Sequence, residues 1–164
     1  MGNRRRWRAG LALAIAAMIG AATAVPAFGV FLTQYEGPVK GDPIATVGFN
    51  LRKSANGVKR VKGFFESQVQ YTCEGGASGR ASPLAVEEGG FRVKHGEFSG
   101  SSSFLTPVGD PRLTVKGELR PHGVARGTLR LTGHLDETTP SARCDTGKVE
   151  WRALKRAVPP PPSP

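Results

Sequence analysis

At 164 residues, with 22 Gly, 13 Pro and a net charge of +10, the chain has the length of about one domain. Part of that charge belongs to the N-terminus. From Val25 onward 19 Lys and Arg stand against 13 Asp and Glu, a net +6 that bears on solubility and association rather than on fold.

Met1 to Arg8 carries Arg4, Arg5, Arg6 and Arg8, and no charge follows until after Tyr35. Arginines, then LALAIAAMIGAATA, then the small-residue site Ala22-Thr23-Ala24 are laid out as a secretory signal peptide over residues 1–24. Cleavage is expected after Ala24, or failing that after Ala27. The alternative is an uncleaved N-terminal membrane anchor, because Val30-Phe31-Leu32 extends the apolar run towards the roughly 20 residues that span a bilayer. An exported protein seldom meets nucleic acid, so none is expected as a partner. Anionic envelope polymers or lipid headgroups are the expected acidic neighbours. An oxidising compartment also favours a disulfide between Cys73 and Cys144 over two free thiols or a metal pair. Neither cysteine lies in a C-x-x-C motif or near a histidine at ligand spacing. No cofactor is expected.

Residues 25–43 read as an exposed lead-in with turns at Gly37-Pro38 and Asp42-Pro43, leaving room for one edge strand around Val30 to Gln34. The β-domain proper is expected over 44–156. Val47, Phe49 and Leu51 alternate with polar or small residues, and a second run follows Gly57. A two-residue turn at Asn56-Gly57 would set Leu51 against Lys62 and break the apolar face. A three-residue loop, Ala55-Asn56-Gly57, instead pairs Leu51 with Val61, Phe49 with Gly63 and Val47 with Phe65, so burial selects it. The second strand is expected to continue through Val69 and Tyr71 to Cys73, with a bend or bulge near Phe64-Phe65. Residues 74–82 read as a loop, and Pro83–Val86 and Phe91–Phe98 as a hairpin around Glu88-Gly89-Gly90. Gly100-Ser-Ser-Ser reads as a loop or weak strand.

Leu113 to Leu135 gives the firmest pattern. Pro121 suits a type I turn and Gly123 the left-handed residue after it. The resulting register sets Leu113 against Leu131, Val115 against Leu129, Gly117 against Gly127 and Leu119 against Ala125, with Glu118 facing Arg126 on the other side. The last strand is expected from Cys144 to about Leu154, placing Gly147, Val149, Trp151 and Ala153 on one face. The tail, 157–164, is proline-rich and favours polyproline II. Short alternating strands without a convincing helix describe an all-β fold, an antiparallel sandwich or partly closed barrel of about seven or eight strands.

The early GFxL strand, Tyr71-Thr72-Cys73, the VKGEL strand, Val124-Ala125-Arg126-Gly127-Thr128-Leu129-Arg130 and the terminal Cys144-Asp145-Thr146-Gly147-Lys148-Val149-Glu150-Trp151-Arg152-Ala153 carry a resemblance. Over about Ile44 to Leu154 the chain resembles a family of uncharacterised secreted bacterial β-domains, common in high-GC Gram-positive organisms. These carry two cysteines and end in a Cys-x-x-Gly-x-x-x-Trp-x-Ala strand. The resemblance implies a compact β-domain bridged by Cys73 and Cys144, and no activity.

Catalytic signatures are missing. Gly96-Glu97-Phe98-Ser99-Gly100 places its serine one position late for a nucleophile elbow, and no P-loop, H-E-x-x-H or dinucleotide fingerprint occurs. His134 and Asp136 would share a strand face, but without a third partner they describe a solvated strand end. A basic cluster is the most suggestive feature: Arg52 faces Arg60, Lys53 faces Lys59, and Lys62 lies along the same strand. Like charges set opposite one another are destabilising. They suit either an anionic ligand or a strand edge kept soluble by charge. The facing glycines Gly117 and Gly127 mark a gap that Trp151 or Phe65 fills, or else a slot for an apolar ligand. The expectation is a non-catalytic exported domain, structural or binding an anionic envelope component. A small apolar ligand-binding domain is the alternative, and a small hydrolase comes third.

Overall fold

The computed structural model describes residues 31–81, 84–86, 90–104, 109–135 and 141–156. The expected signal segment, the proline-rich tail, Glu87, Glu88 and Asp136 lie outside the described residues. Among the described residues, twelve strands form one antiparallel sheet. They are β1 (Phe31–Val39), β2 (Asp42–Lys53), β3 (Lys59–Ser67), β4 (Gln70–Cys73), β5 (Ser78–Arg80), β6 (Leu84–Val86), β7 (Phe91–Arg92), β8 (Glu97–Ser103), β9 (Arg112–Arg120), β10 (Val124–Gly133), β11 (Cys144–Asp145) and β12 (Val149–Arg156).

The main path runs β8-β9-β10-β12-β1-β2-β3, with β6 and β7 both along the far edge of β3. A short arm, β11-β4-β5, branches from the end of β10. Phe49 on β2 and Phe98 on β8 lie near opposite ends of this path, yet their rings are 5.5 Å apart. The sheet is therefore curled around its apolar face. β7 and β8 meet at the Lys94–Glu97 bridge beside their shared turn, and the barrel is not closed.

Alternation supplies the core. Val47, Phe49, Val61, Phe64, Leu113, Val115, Leu129, Leu131 and Trp151 are all buried. Each such side chain contributes roughly 1.5–3 kcal/mol on leaving water. Phe49 stacks on Tyr35 at 4.8 Å and meets Trp151 edge-on at 6.1 Å. The β9–β10 hairpin has the expected register at every pair, from Leu113 opposite Leu131 to Leu119 opposite Ala125. Its turn differs in detail: His122 has φ 60°, so the loop is not type I, although its three-residue length still fixes the register.

The first hairpin follows expectation only near its tip. The Ser54 amide donates to Val58 and the Gly57 amide to Ser54, which closes the three-residue loop, and Leu51 opposes Val61. Past Asn50–Lys62 a bulge shifts the register. Gly48 then faces Phe65 and Val47 faces Glu66, correcting the expected Val47–Phe65 and Phe49–Gly63 pairs. Gly63, at φ 56°, is the extra residue, in a conformation that favours glycine.

Further corrections share one cause, partners distant in sequence. Residues 31–39 are not an exposed lead-in or an edge. β1 lies between β2 and β12, with Gly37-Pro38 inside the strand and the reversal at Lys40-Gly41. A Cβ on Gly37 would come within 2.1 Å of the Arg152 carbonyl oxygen, so glycine there serves close strand approach. β6 and β7 do not pair with each other: both continue along β3. The nearby reversal is at His95-Gly96, where both residues have positive φ, as in a type I′ turn. Residues 97–103, including Gly100-Ser-Ser-Ser, form the regular strand β8. The strand after β3 breaks at Gln68 and the final strand at Thr146-Gly147-Lys148, which lets β4 and β11 pair in the arm. There Cys73 faces Cys144, and the two form a disulfide.

Candidate anion-binding face

Side chains two apart on a strand share a face. On β2 the residues Asn50 and Arg52 point away from the core, on β3 Arg60 and Lys62, and on the β7 segment Arg92 and Lys94. The ladder aligns them: Arg52 is opposite Arg60, and Arg60 is opposite Arg92. Three guanidinium-bearing residues thus cross three adjacent strands, at about 4.8 Å per strand. All three are exposed, and Lys62, opposite Asn50, is half-buried. Lys53 and Lys59 also face one another, but one residue out of phase with this row. They continue the core-facing positions Leu51 and Val61 out to one end of the curled sheet. The five residues singled out in the sequence therefore divide between an outer row and a rim.

Arg92 and Lys94 escaped notice because their place beside Arg60 depends on β7 pairing with β3, not with its neighbours in sequence. A signal existed in the spacing, since Arg92 and Lys94 alternate with Phe91 and Val93 as Arg60 and Lys62 flank Val61.

From Lys94 the outer face continues onto β8, β9, β10 and β12. Two rows cross it: Ser99, Lys116, Thr128 and Glu150, and beside them Glu97, Glu118, Arg126 and Arg152. Together with Arg92 and Lys94 they line a broad groove of about 1150 Å³. Of its three carboxylates, Glu118 and Glu150 are engaged, and Glu97, opposite Glu118, forms no ion pair among the described residues. Glu118 meets Arg120 at 2.8 Å and Arg126 at 3.7 Å. Glu150 meets Lys40 at 2.8 Å, and this bond holds the Glu150 carboxyl below its ordinary range. Among the described residues, Arg92, Lys94, Lys116 and Arg152 form no ion pair.

The facing glycines do not open a slot. A Cβ on Gly117 would lie 2.3 Å from the Phe98 ring, and one on Gly127 would lie 2.6 Å from the Trp151 indole. Phe98 and Trp151 fill the gap; Phe65 instead covers Gly48, on a different part of the sheet. A second hollow of about 810 Å³ adjoins the groove at Arg92, Lys94 and His95 and lies at one end of the curl, floored by Tyr35, Leu51, Val93 and Leu119 and edged by Lys59 and Arg120.

One titratable group was invisible in the sequence. The bulge at Gly63 turns Glu66 inward, where it is fully buried and, among the described residues, neither carboxylate oxygen has a hydrogen-bond partner. Burial pushes its pKa up to about 7. The Val69 amide lies near the carboxyl but outside hydrogen-bond geometry, and it offsets little of this effect. Glu66 lines neither hollow, so it lacks the access that acid–base chemistry on a substrate requires. His134 lies beside Gly109, and its expected companion Asp136 is outside the described residues. Among the described residues, no group of three or more His, Cys, Asp and Glu could hold a metal ion.

No protein-family model matches this sequence, and a search of curated proteins finds no relative.

Proposed function

We propose that this is an exported, non-catalytic β-domain that binds an anionic component of the cell envelope through its outer basic face. The observation that carries the reading is the alignment of Arg52, Arg60 and Arg92 across three strands. Cations set side by side attract an oxyanion, and Arg52 and Arg92 stand exposed at the two ends of the row to receive one. Arginine suits the task, because its planar fork meets phosphate or carboxylate oxygens two at a time. The arginine-led N-terminus and the Cys73–Cys144 bond support an oxidising, extracytoplasmic setting. The resemblance to secreted two-cysteine domains agrees with it.

The test is a titration of the full chain with long-chain polyphosphate at low and at physiological salt. Binding that weakens steeply as salt screens the charges is expected. An absence of binding at low salt overturns the reading.

A small apolar ligand is the second reading. The end hollow over Tyr35, Leu51, Val93 and Leu119 favours it. The packing of Phe98 and Trp151 against the glycine pair removes its original basis in the interior.

A further inference from the structure

We infer that the partner is a linear polyanion, a chain of repeating phosphate or carboxylate groups, which starts on the Arg52–Arg60–Arg92 row and continues along the groove over Lys116, Arg126 and Arg152. This rests on the anion-binding reading above and extends it from a patch to a track. A single headgroup needs only one cluster of donors. Here the cationic positions continue well beyond one cluster. Arg92 belongs to both stretches: it is the last residue of the row and it lines the groove. Lys94, two residues on, faces Glu97 across the β7–β8 turn and leads onto the second stretch.

On that second stretch the strands β8, β9, β10 and β12 lie side by side, a width of roughly 14 Å at about 4.8 Å per strand. Arg126 faces Glu118 on one side and Arg152 on the other, so the like-charge arrangement of the first row recurs between β10 and β12. Lys116 stands in the neighbouring row opposite Ser99 and Thr128, two hydroxyl residues without charge. Of the groove carboxylates, Glu118 and Glu150 are held by Arg120, Arg126 and Lys40, which lowers their repulsion of an incoming anion, while Glu97, opposite Glu118, has no ion pair among the described residues and marks where the track must pass to the side of Lys116. The groove is broad and open, a shape that suits a polymer lying across it rather than a small molecule enclosed by it.

Length dependence tests this. The full chain is titrated at low salt with pyrophosphate and long-chain polyphosphate, and separately with galacturonate and polygalacturonate. Affinities are expressed per anionic group. At least one polymer is expected to exceed its short counterpart by roughly tenfold or more, and which one identifies the oxyanion. The double variant Lys116→Glu/Arg152→Glu is expected to lose that advantage while still binding the short anion. Lys116→Gln/Arg152→Gln repeats the test without introducing charge, should reversal disturb folding. If neither polymer exceeds its short form, or if the groove variants leave the advantage intact while Arg52→Glu removes all binding, the track is wrong and the patch remains. If no probe binds, the anion-binding reading itself falls.

Discussion

The β2–β3 and β9–β10 hairpins are built alike at their turns and differ beyond them. Each is closed by a three-residue loop with a left-handed glycine, Gly57 in one and Gly123 in the other. In β9–β10 the register is unbroken, and Glu118 faces Arg126 on the outside. In β2–β3 a bulge breaks the register, a carboxylate is buried, and arginine faces arginine. One hairpin is a scaffold whose local choices agree with one another. The other carries three local conflicts, and conflicts of this kind collect where a protein binds or switches. The contrast has a limit, because Arg126 meets a like charge on its β12 side. The scaffold hairpin therefore contributes to the basic face through its far edge.

The largest way to break the comparison is to cut the link between the two halves. Cys73 follows the first hairpin and Cys144 the second, 71 residues apart. Replacing both by alanine is expected to cost roughly 4 kcal/mol in the chain-entropy account, measured by urea denaturation. Next, Gly127→Val in the scaffold forces a side chain against the Lys116 carbonyl and the Trp151 indole. It should cost at least about 3 kcal/mol. Gly63→Ala at the bulge meets only the Asn50 amide at 3.5 Å, but keeps the positive φ. It should cost no more than roughly 1–2 kcal/mol. Equal losses at the two glycines would dissolve the distinction between a packed hairpin and a strained one.

Glu66 sharpens the comparison through pH. Its carboxyl has an ordinary value of 4.5 and a folded value of about 7, so between these limits the folded chain holds the extra proton. Stability must then fall as pH rises from 4.5, and level off above about 7. At about 1.4 kcal/mol per pH unit the full penalty is roughly 3 kcal/mol. Glu66→Gln is expected to flatten this part of the pH–stability curve. A wild-type curve without that slope would mean the carboxylate finds a partner.

The smallest effect is the most diagnostic. Arg52→Glu should raise stability by about 0.5 kcal/mol, by replacing a like-charge pair with an opposite one. Arg126→Glu should change it by less than about 0.5 kcal/mol, because the pair lost with Glu118 is offset by the opposite-charge pair gained with Arg152. A gain from the first substitution beside little change from the second, read as shifts in denaturation midpoint, would support a charge pattern that distinguishes the hairpins.

Legibility in the sequence followed the same division. The β9–β10 register could be read in full, because alternation, loop length and charge pairing all gave one answer. The tip of β2–β3 could be read for the same reason as far as Lys62. Beyond it the adjacent Phe64 and Phe65 signalled a bulge, but Gly63 looks like one more small residue in an alternating run, and nothing local reveals that it is the extra residue. The inward turn of Glu66 follows from that bulge and was equally hidden. Gly37-Pro38 carries the strongest local turn signal in its region, yet it lies within β1, where strands from both ends of the chain flank it. Two of the three residues of the arginine row were visible, Arg52 and Arg60 across a local turn. Arg92 was not, because its partner strand is fixed by topology.

The most direct measurement is a map of backbone amide chemical shifts as long-chain polyphosphate is added to the full chain. The account predicts that the largest changes fall at Arg52, Arg60, Arg92 and Lys94 and extend to Lys116 and Arg152, with little at the end hollow over Tyr35 and Leu51. Changes confined to that hollow, or the absence of any on the outer face, would contradict it.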